Sequence, residues 1–147
     1  MRIKTDQLTT WTWVPNLVLR LTVGFMFFSG AIGKLGDTGR FAATLTESGI
    51  PLPHLTAAVL AVVELVAGLA LMLGLFARIA ALVLAVTMAG ALISTIAPPL
   101  WDKYPDLWNF LSNFFYSPEW LLLGILAWLA CAGAEGRGVV PQRGSAR

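Results

Sequence analysis

Four stretches of the chain are apolar over nearly their whole length, and most polar residues are collected between them. A bilayer core about 30 Å thick needs about 20 apolar residues at a rise of 1.5 Å each, and each stretch meets or approaches that length. Continuous apolar runs lack the strict alternation that membrane β-barrel strands require. The pattern therefore predicts four transmembrane helices, at about 14–34, 55–77, 79–97 and 117–134.

Local signals mark where some of these helices begin and end. Ser117, Pro118 and Glu119 supply a side-chain cap, a first-turn proline and an acid at the positive end of the helix dipole. Pro98 and Pro99 are expected to end the third helix, because an interior proline removes a backbone hydrogen bond and clashes with the preceding turn.

The links between the spans also carry structure. Residues 74–78 form a tight link, which predicts that the second and third helices are antiparallel neighbours. Residues 40–45 are expected to form a short helix, followed by a turn over 48–51. From Asp106 to Tyr116, apolar residues recur at helical spacing with polar residues largely opposite, which is typical of a helix lying in the membrane interface. The predicted fold is an all-α, four-helix transmembrane bundle with an amphipathic interfacial helix between helices 3 and 4.

The predicted organisation is a single transmembrane domain, 14–134, between an N-terminal tail, 1–13, and a mobile C-terminal tail, 135–147. Basic residues in short loops are retained on the cytoplasmic side of a membrane. With both termini cytoplasmic, that side holds six basic residues and the other side three, so a multi-pass protein of the inner membrane in this orientation is expected. The six are Arg2, Lys4, Arg78, Arg137, Arg143 and Arg147, and the three are Lys34, Arg40 and Lys103.

Composition agrees with a membrane protein and narrows its chemistry. Hydrophobic residues make up 57% and charged residues 12% of the 147 residues, with a mean hydropathy of +0.75, whereas soluble domains carry about 25% charged residues. A net charge of +2, spread along the chain, does not indicate nucleic-acid binding. Cys131 and His54 are single, so no disulfide, zinc site or pair of haem ligands is expected. Electron chemistry would therefore require a bound small molecule or a partner protein, and whether the chain is an enzyme stays open.

Ionisable residues within the predicted spans are the candidate site. Glu64 lies near the centre of the second span, where an acid costs roughly 2.5–3.5 kcal/mol on insertion scales and is a functional candidate by default. Arg20, in the first span, is its candidate partner, although the two differ in depth by about 9 Å and lean apart on antiparallel helices. Lys34 is a weaker candidate, at a similar separation in depth. Two alternatives stay open: Arg20 reaches the inner headgroups, or Glu64 only ties helices together through hydrogen bonds.

Several motifs together resemble the DoxX family of small bacterial and archaeal membrane proteins. They are the order Arg–Gly–Phe–Gly–Lys within 19–37, Phe41, the segment 49–53, and the Glu-x-x-x-Gly and Gly-x-x-x-Arg patterns within 62–78. The resemblance extends over about 17–134. It implies a four-helix transmembrane bundle and a link to membrane redox processes, because the family is named after a subunit tied to quinone and thiosulfate oxidoreduction.

The resulting hypothesis is an accessory or quinone-facing subunit of a membrane-associated oxidoreductase. Glu64 would accept a proton, with Arg20 and Lys34 completing a polar core, and a quinone is the one cofactor considered. Expected partners are the lipid bilayer, a redox protein and further copies of the chain. The alternatives are a small proton-coupled transporter that uses Glu64, and a structural membrane anchor for an extracytoplasmic partner.

Overall fold

The computed structural model describes residues 13–133, and the predicted tails, 1–13 and 135–147, lie outside it apart from Trp13. Within the described range every regular element is helical, as predicted. The helices are α1 (Trp13–Gly36), α2 (Thr38–Glu47), α3 (Pro53–Leu73), α4 (Ala77–Ala91), a π-helical turn (Leu92–Ile96), α5 (Ala97–Lys103), α6 (Leu107–Tyr116) and α7 (Pro118–Ala132).

Three helices in the described chain are long and apolar enough to cross a membrane. They are Trp13–Gly36, Pro53–Leu73 and the continuous run Ala77–Lys103. The predicted fourth span contains α7, which has only 15 residues and is about 22 Å long. It qualifies only together with α6, from which it is bent by 59°. Residues 13–133 therefore contain three candidate spans, or four if the bent pair counts as one.

The third span does not end at Pro98 and Pro99, and that prediction was wrong. A π-helical turn precedes the prolines, and the Ala97 N–H donates to the Leu92 carbonyl, five residues back. The prolines then occupy the first turn of α5, where a missing N–H leaves no hydrogen bond unmade. The helical run continues for a further turn and ends at Tyr104, whose N–H bonds to the Leu100 carbonyl.

The shorter helices begin at side-chain caps, of which the one at Ser117 was predicted from the sequence. The Ser117 hydroxyl accepts from the Trp120 N–H at the start of α7. Asp106 caps α6 in the same way through the Asn109 N–H. The helix expected over 40–45 is present as the longer α2, capped by Asp37. The location of α6 at a membrane interface stays a prediction.

The bundle consists of two closely packed helix pairs, α1 with α3 and α4 with α7. The predicted tight link connects the pairs, since α3 ends at Gly74 in the left-handed conformation (φ 74°) and α4 begins at Ala77. The central core is apolar and includes Val23, Phe27, Leu71, Leu84, Leu126 and Leu129. Many large apolar side chains point outward instead, among them Val66, Ile79 and Val86, as expected for a surface that faces lipid.

Candidate functional site

The buried face of each helix in the α1–α3 pair carries polar residues. On α1, the buried residues follow one another at three- and four-residue steps, and Lys34 continues that face three residues after Ala31. On α3, Glu64 occupies the equivalent buried face, four residues before Gly68. Residues three or four apart share one side of a helix, so both faces place charged groups between the two helices. The buried positions on α1 are Asn16, Arg20, Val23, Gly24, Phe27 and Ala31.

Two glycines determine how closely α1 and α3 approach. A methyl group on Gly68 would lie 2.8 Å from the Gly24 carbonyl oxygen and 2.9 Å from the Phe28 nitrogen. A methyl group on Gly24 would lie 2.8 Å from the Gly68 carbonyl oxygen. Because the obstructing atoms are backbone, only glycine permits this contact. The contact also sets the axial register of the two helices.

Glu64 forms an ion pair with Lys34 between these helices. Lys34 Nζ lies 2.5 Å from Glu64 Oε2, in the only ion pair among residues 13–133. The Glu64 side chain is 8% exposed and that of Lys34 is 32% exposed. The Lys34 ammonium also lies 4.7 Å from the centre of the Phe41 ring, within the range of a cation–π interaction. The pair is thus enclosed on the Glu64 side and open on the Lys34 side.

The direction of side chains on a helix explains this pairing. Measured from the glycine contact, Lys34 lies ten residues along α1, about 15 Å, and Glu64 lies four residues along α3, about 6 Å. Side chains lean toward the N-terminus of their own helix. Because α1 and α3 are antiparallel, Lys34 leans inward and Glu64 leans outward, and together they close a gap of about 9 Å.

Arg20 lies at the opposite end of the α1–α3 pair and does not contact Glu64. Its Nε donates to the Leu71 carbonyl oxygen at 3.2 Å, and the residue is 2% exposed. The lean of Arg20 and Glu64 separates them further, because each points toward its own end of the bundle. Of the three predicted site residues, the structure brings Glu64 and Lys34 together and leaves Arg20 apart.

Two contributors to polar contacts were not predicted, Phe41 and Asn16. Phe41 reaches Lys34 because α2 folds over the start of α3, where Ala42, Leu45 and Ala57 form a small separate core. Asn16 is 1% exposed and its Nδ2 donates to the Gly133 carbonyl at 3.0 Å, which joins α1 to the end of α7. Asn16 lies one turn before Arg20 on the same face, and that periodicity is the signal that identifies it.

An apolar groove of about 380 Å³ lies between α3 and α4. On α3 it passes nearest to Glu64 at Val63 and Ala67 and extends around the helix away from Glu64, which does not line it. Its lining is entirely aliphatic or aromatic and consists of Val62, Val63, Val66, Ala67, Ala70, Phe76, Ile79, Ala80 and Val83. Such a groove fits a hydrocarbon chain or another helix. No group of three His, Cys, Asp or Glu residues within 13–133 forms a metal site.

Comparison with known proteins gives one match. A sequence model of the DoxX family matches residues 16–97, which include α1 to α4, both contact glycines and both partners of the ion pair. No curated protein and no solved structure matches the chain. The match covers more than half of the chain and agrees with its apolar helices. The chain is therefore an integral membrane protein of the DoxX family.

Proposed function

We propose that this protein is an accessory, quinone-facing subunit of a membrane oxidoreductase, in which Glu64 accepts a proton from a quinol. The observation that carries the proposal is the ion pair between Lys34 and Glu64, enclosed between two membrane-spanning helices. A carboxylate at such depth is costly, and sites of this kind in membrane proteins belong to proton or substrate pathways.

The proposed chemistry divides the quinol's electrons and protons between two proteins. Oxidation of a quinol to a quinone releases two electrons and two protons. The electrons pass to the redox centre of the partner oxidoreductase. One proton passes to the Glu64 carboxylate, and the second passes to water at the membrane surface. Protonation of Glu64 breaks its ion pair with Lys34. Because Lys34 is one-third exposed, it offers the route by which the proton leaves toward the end of the bundle formed by α2.

The apolar groove between α3 and α4 supports a quinone as the ligand. Its aliphatic lining suits an isoprenoid tail, and Val63 and Ala67 place it on the flank of α3 next to Glu64. With the isoprenoid tail in the groove, the quinone head group would lie outside it and would need a polar residue of α3 as its hydrogen-bond partner. Glu64 is the one acid on α3, so it is the candidate to receive the quinol hydroxyl.

The first experiment is native mass spectrometry of the full chain, gently solubilised from its own membrane. A retained quinone, or an oxidoreductase that copurifies, is the expected result. Decylubiquinol oxidation by the purified assembly is then compared for wild type, Glu64→Gln and Glu47→Gln. Glu47 is an exposed acid on α2 and serves as the matched control. We expect Glu64→Gln to lower turnover at least about tenfold. Positioned acids and bases typically contribute about 10²–10⁴-fold, so a tenfold loss is the smallest effect that supports the proton role. Unchanged turnover in Glu64→Gln would contradict the proton role.

A second candidate function, a membrane anchor for an extracytoplasmic protein, is favoured by the aromatic cluster of α5, α6 and the start of α7. Neighbouring rings in it have centroids 5.1–5.9 Å apart, and Trp108 and Tyr116 are largely exposed. Deletion of residues 101–116 should then release the partner while the three long helices still insert. A homodimer with neither quinone nor partner, but with Glu64-dependent proton flux in vesicles, would instead indicate a transporter.

A further inference from the structure

The end of the bundle remote from the ion pair is basic. It is formed by the start of α1, the α3–α4 link and the end of α7, and it contains Arg20 and Arg78. No acidic residue within 13–133 lies on these three segments. The described acids lie elsewhere: near α2, in the middle of α3, near α5 and α6, and at the start of α7. They are Asp37, Glu47, Glu64, Asp102, Asp106 and Glu119.

Arg20 is buried there, and among residues 13–133 only its Nε has a hydrogen-bond partner. The residue is 2% exposed, and its Nε bonds to the Leu71 carbonyl. A guanidinium has five N–H donors, and Nε provides one of them. No carboxylate within 13–133 neutralises Arg20, since the described range has one ion pair and Arg20 is not in it. Capping of the α3 C-terminus explains the Nε contact and leaves the terminal nitrogens without a stated role.

Where α3 crosses the membrane along its full length, the guanidinium of Arg20 lies near the membrane surface. Leu71 lies two residues, about 3 Å, from the end of α3, a 21-residue helix that is long enough to cross a membrane. The Arg20 side chain leans toward the start of α1, at the same end of the bundle. Its free donors therefore face the depth at which lipid phosphates lie.

Two further side chains converge on this end through Gly133. Asn16 Nδ2 donates to the Gly133 carbonyl, and Asn16 is one turn from Arg20 on α1. A methyl group on Gly133 would lie 2.7 Å from Arg78 Nε and 3.1 Å from Arg78 Cγ, so the Arg78 side chain packs directly on Gly133. Arg78 itself is exposed, which leaves its guanidinium accessible from the membrane surface.

We propose that Arg20 and Arg78 form a binding site for a phosphate group, with Asn16 as a positioning residue that holds α1 against the end of α7. Planar guanidinium groups bind phosphate through paired hydrogen bonds, which is why arginine is common at phosphate sites. A phosphate would supply the acceptors and the negative charge that Arg20 lacks. The site is at the opposite end of the α1–α3 pair from Lys34 and Glu64, so it does not depend on the proposed redox role.

The phosphate can belong to a lipid headgroup or be free in solution, and the test distinguishes the two. The full chain in neutral detergent is mixed with dioleoyl phosphatidic acid, with dioleoylglycerol, which differs from it by the phosphate, or with inorganic phosphate. Retained molecules are counted by native mass spectrometry, and the unfolding temperature is recorded. Retention and stabilisation by phosphatidic acid alone identify a lipid site, whereas stabilisation by inorganic phosphate identifies a site for soluble phosphate. Equal effects of phosphatidic acid and dioleoylglycerol, with none from phosphate, overturn the proposal.

Variants connect the binding to these residues. Arg20→Met and Arg78→Met should each weaken phosphate binding about tenfold, the equivalent of losing one strong charge-assisted hydrogen bond. Lys103→Met, at the end of α5, removes one positive charge elsewhere and should leave binding unchanged. Because Arg20 is buried and its variant can fail to fold, the exposed Arg78 provides an independent reading. Wild-type binding by Arg78→Met, or an equal loss in Lys103→Met, would refute the site.

A carboxylate outside residues 13–133 is the competing occupant, and the acidic residues there are Asp6 and Glu135. Asp6→Asn and Glu135→Gln should each leave phosphate binding unchanged or strengthen it, since a competitor is removed. If either variant instead lowers the unfolding temperature as far as Arg20→Met does, and phosphatidic acid has no effect on the wild type, Arg20 is an internal ion-pair partner and the proposal is wrong.

Discussion

At the scale of single residues, the partner of each buried charge is determined by the direction in which its side chain leans. Lys34 and Glu64 are separated along the helix axes by about 9 Å, and they meet because each leans toward its own helix N-terminus. Arg20 leans the other way and bonds to a backbone carbonyl instead. When one partner of a buried ion pair is removed, the other charge stays buried without compensation. The resulting loss of stability exceeds what the intact pair contributes.

Lys34→Met should therefore lower the free energy of unfolding by about 1–3 kcal/mol, because it leaves the Glu64 carboxylate buried without its partner. The double variant Lys34→Met, Glu64→Met should recover most of that loss, since it removes both charges. Unfolding in detergent micelles measures both effects, with Arg40→Met, an exposed basic residue on α2, as the control. A double variant no more stable than Lys34→Met would mean that the pair is not what stabilises this interface.

At the scale of secondary-structure elements, small residues and one irregular turn determine how the helices lie. Gly24 and Gly68 bring the backbones of α1 and α3 into contact and so set the register that Lys34 and Glu64 require. The π-helical turn Leu92–Ile96 carries the third span past two prolines to Lys103. It delivers the chain directly to the aromatic cluster of α5 and α6, where Trp101 and Phe110 pack edge to face.

Gly68→Ala should destabilise the protein by about 1–3 kcal/mol, because the added methyl group meets backbone atoms of α1 and forces the helices apart. Gly33→Ala is the matched control on α1, where a methyl group would meet no atom within 4 Å. It should be neutral or stabilise the helix by up to about 1 kcal/mol, owing to the higher helix propensity of alanine. The changes in unfolding free energy that the two substitutions cause, measured side by side, should differ in sign or in size. Equal changes would contradict the close contact.

At the scale of the whole molecule, the polar features divide between two ends of the bundle. Asn16 joins the start of α1 to Gly133 after α7, and the α3–α4 link lies at that end as well. The other end carries α2, the ion pair and the aromatic cluster. The start and the end of the described chain, 13–133, therefore lie at the same end of the bundle, as an even number of crossings requires; that this end is cytoplasmic stays a prediction.

Cysteine labelling tests this topology in intact cells. In a Cys131→Ala background, a membrane-impermeant maleimide should label Glu47→Cys from outside. It should label Arg78→Cys and Ser145→Cys only after permeabilisation. The reverse pattern would place both termini outside. Labelling of Ser145→Cys together with Glu47→Cys would show that α6 and α7 do not cross the membrane, which the 15-residue length of α7 makes a real alternative.

Several features of this protein follow from its sequence alone. Apolar runs long enough to cross a bilayer require helices, because hydrocarbon offers no partner for backbone hydrogen bonds. Ser117 identifies the start of α7 through a local hydrogen bond, and the link at 74–78 is too short for anything but antiparallel packing. Glu64 stands out because an acid is rare within such a span. All of these are local properties, encoded over one turn or one span.

Only the tertiary structure decided which charges meet. Periodicity assigns a residue to a face of its helix, and the sequence makes Arg20 the candidate partner of Glu64 and Lys34 the weaker one. The choice depends on the axial register of α1 against α3, which arises from a contact between Gly24 and Gly68, residues 44 positions apart (68 − 24) in the chain. The course of the third span was decided in the same way. A proline stops a regular α-helix, but a preceding turn with five-residue hydrogen bonds removes the need for the donor that proline lacks.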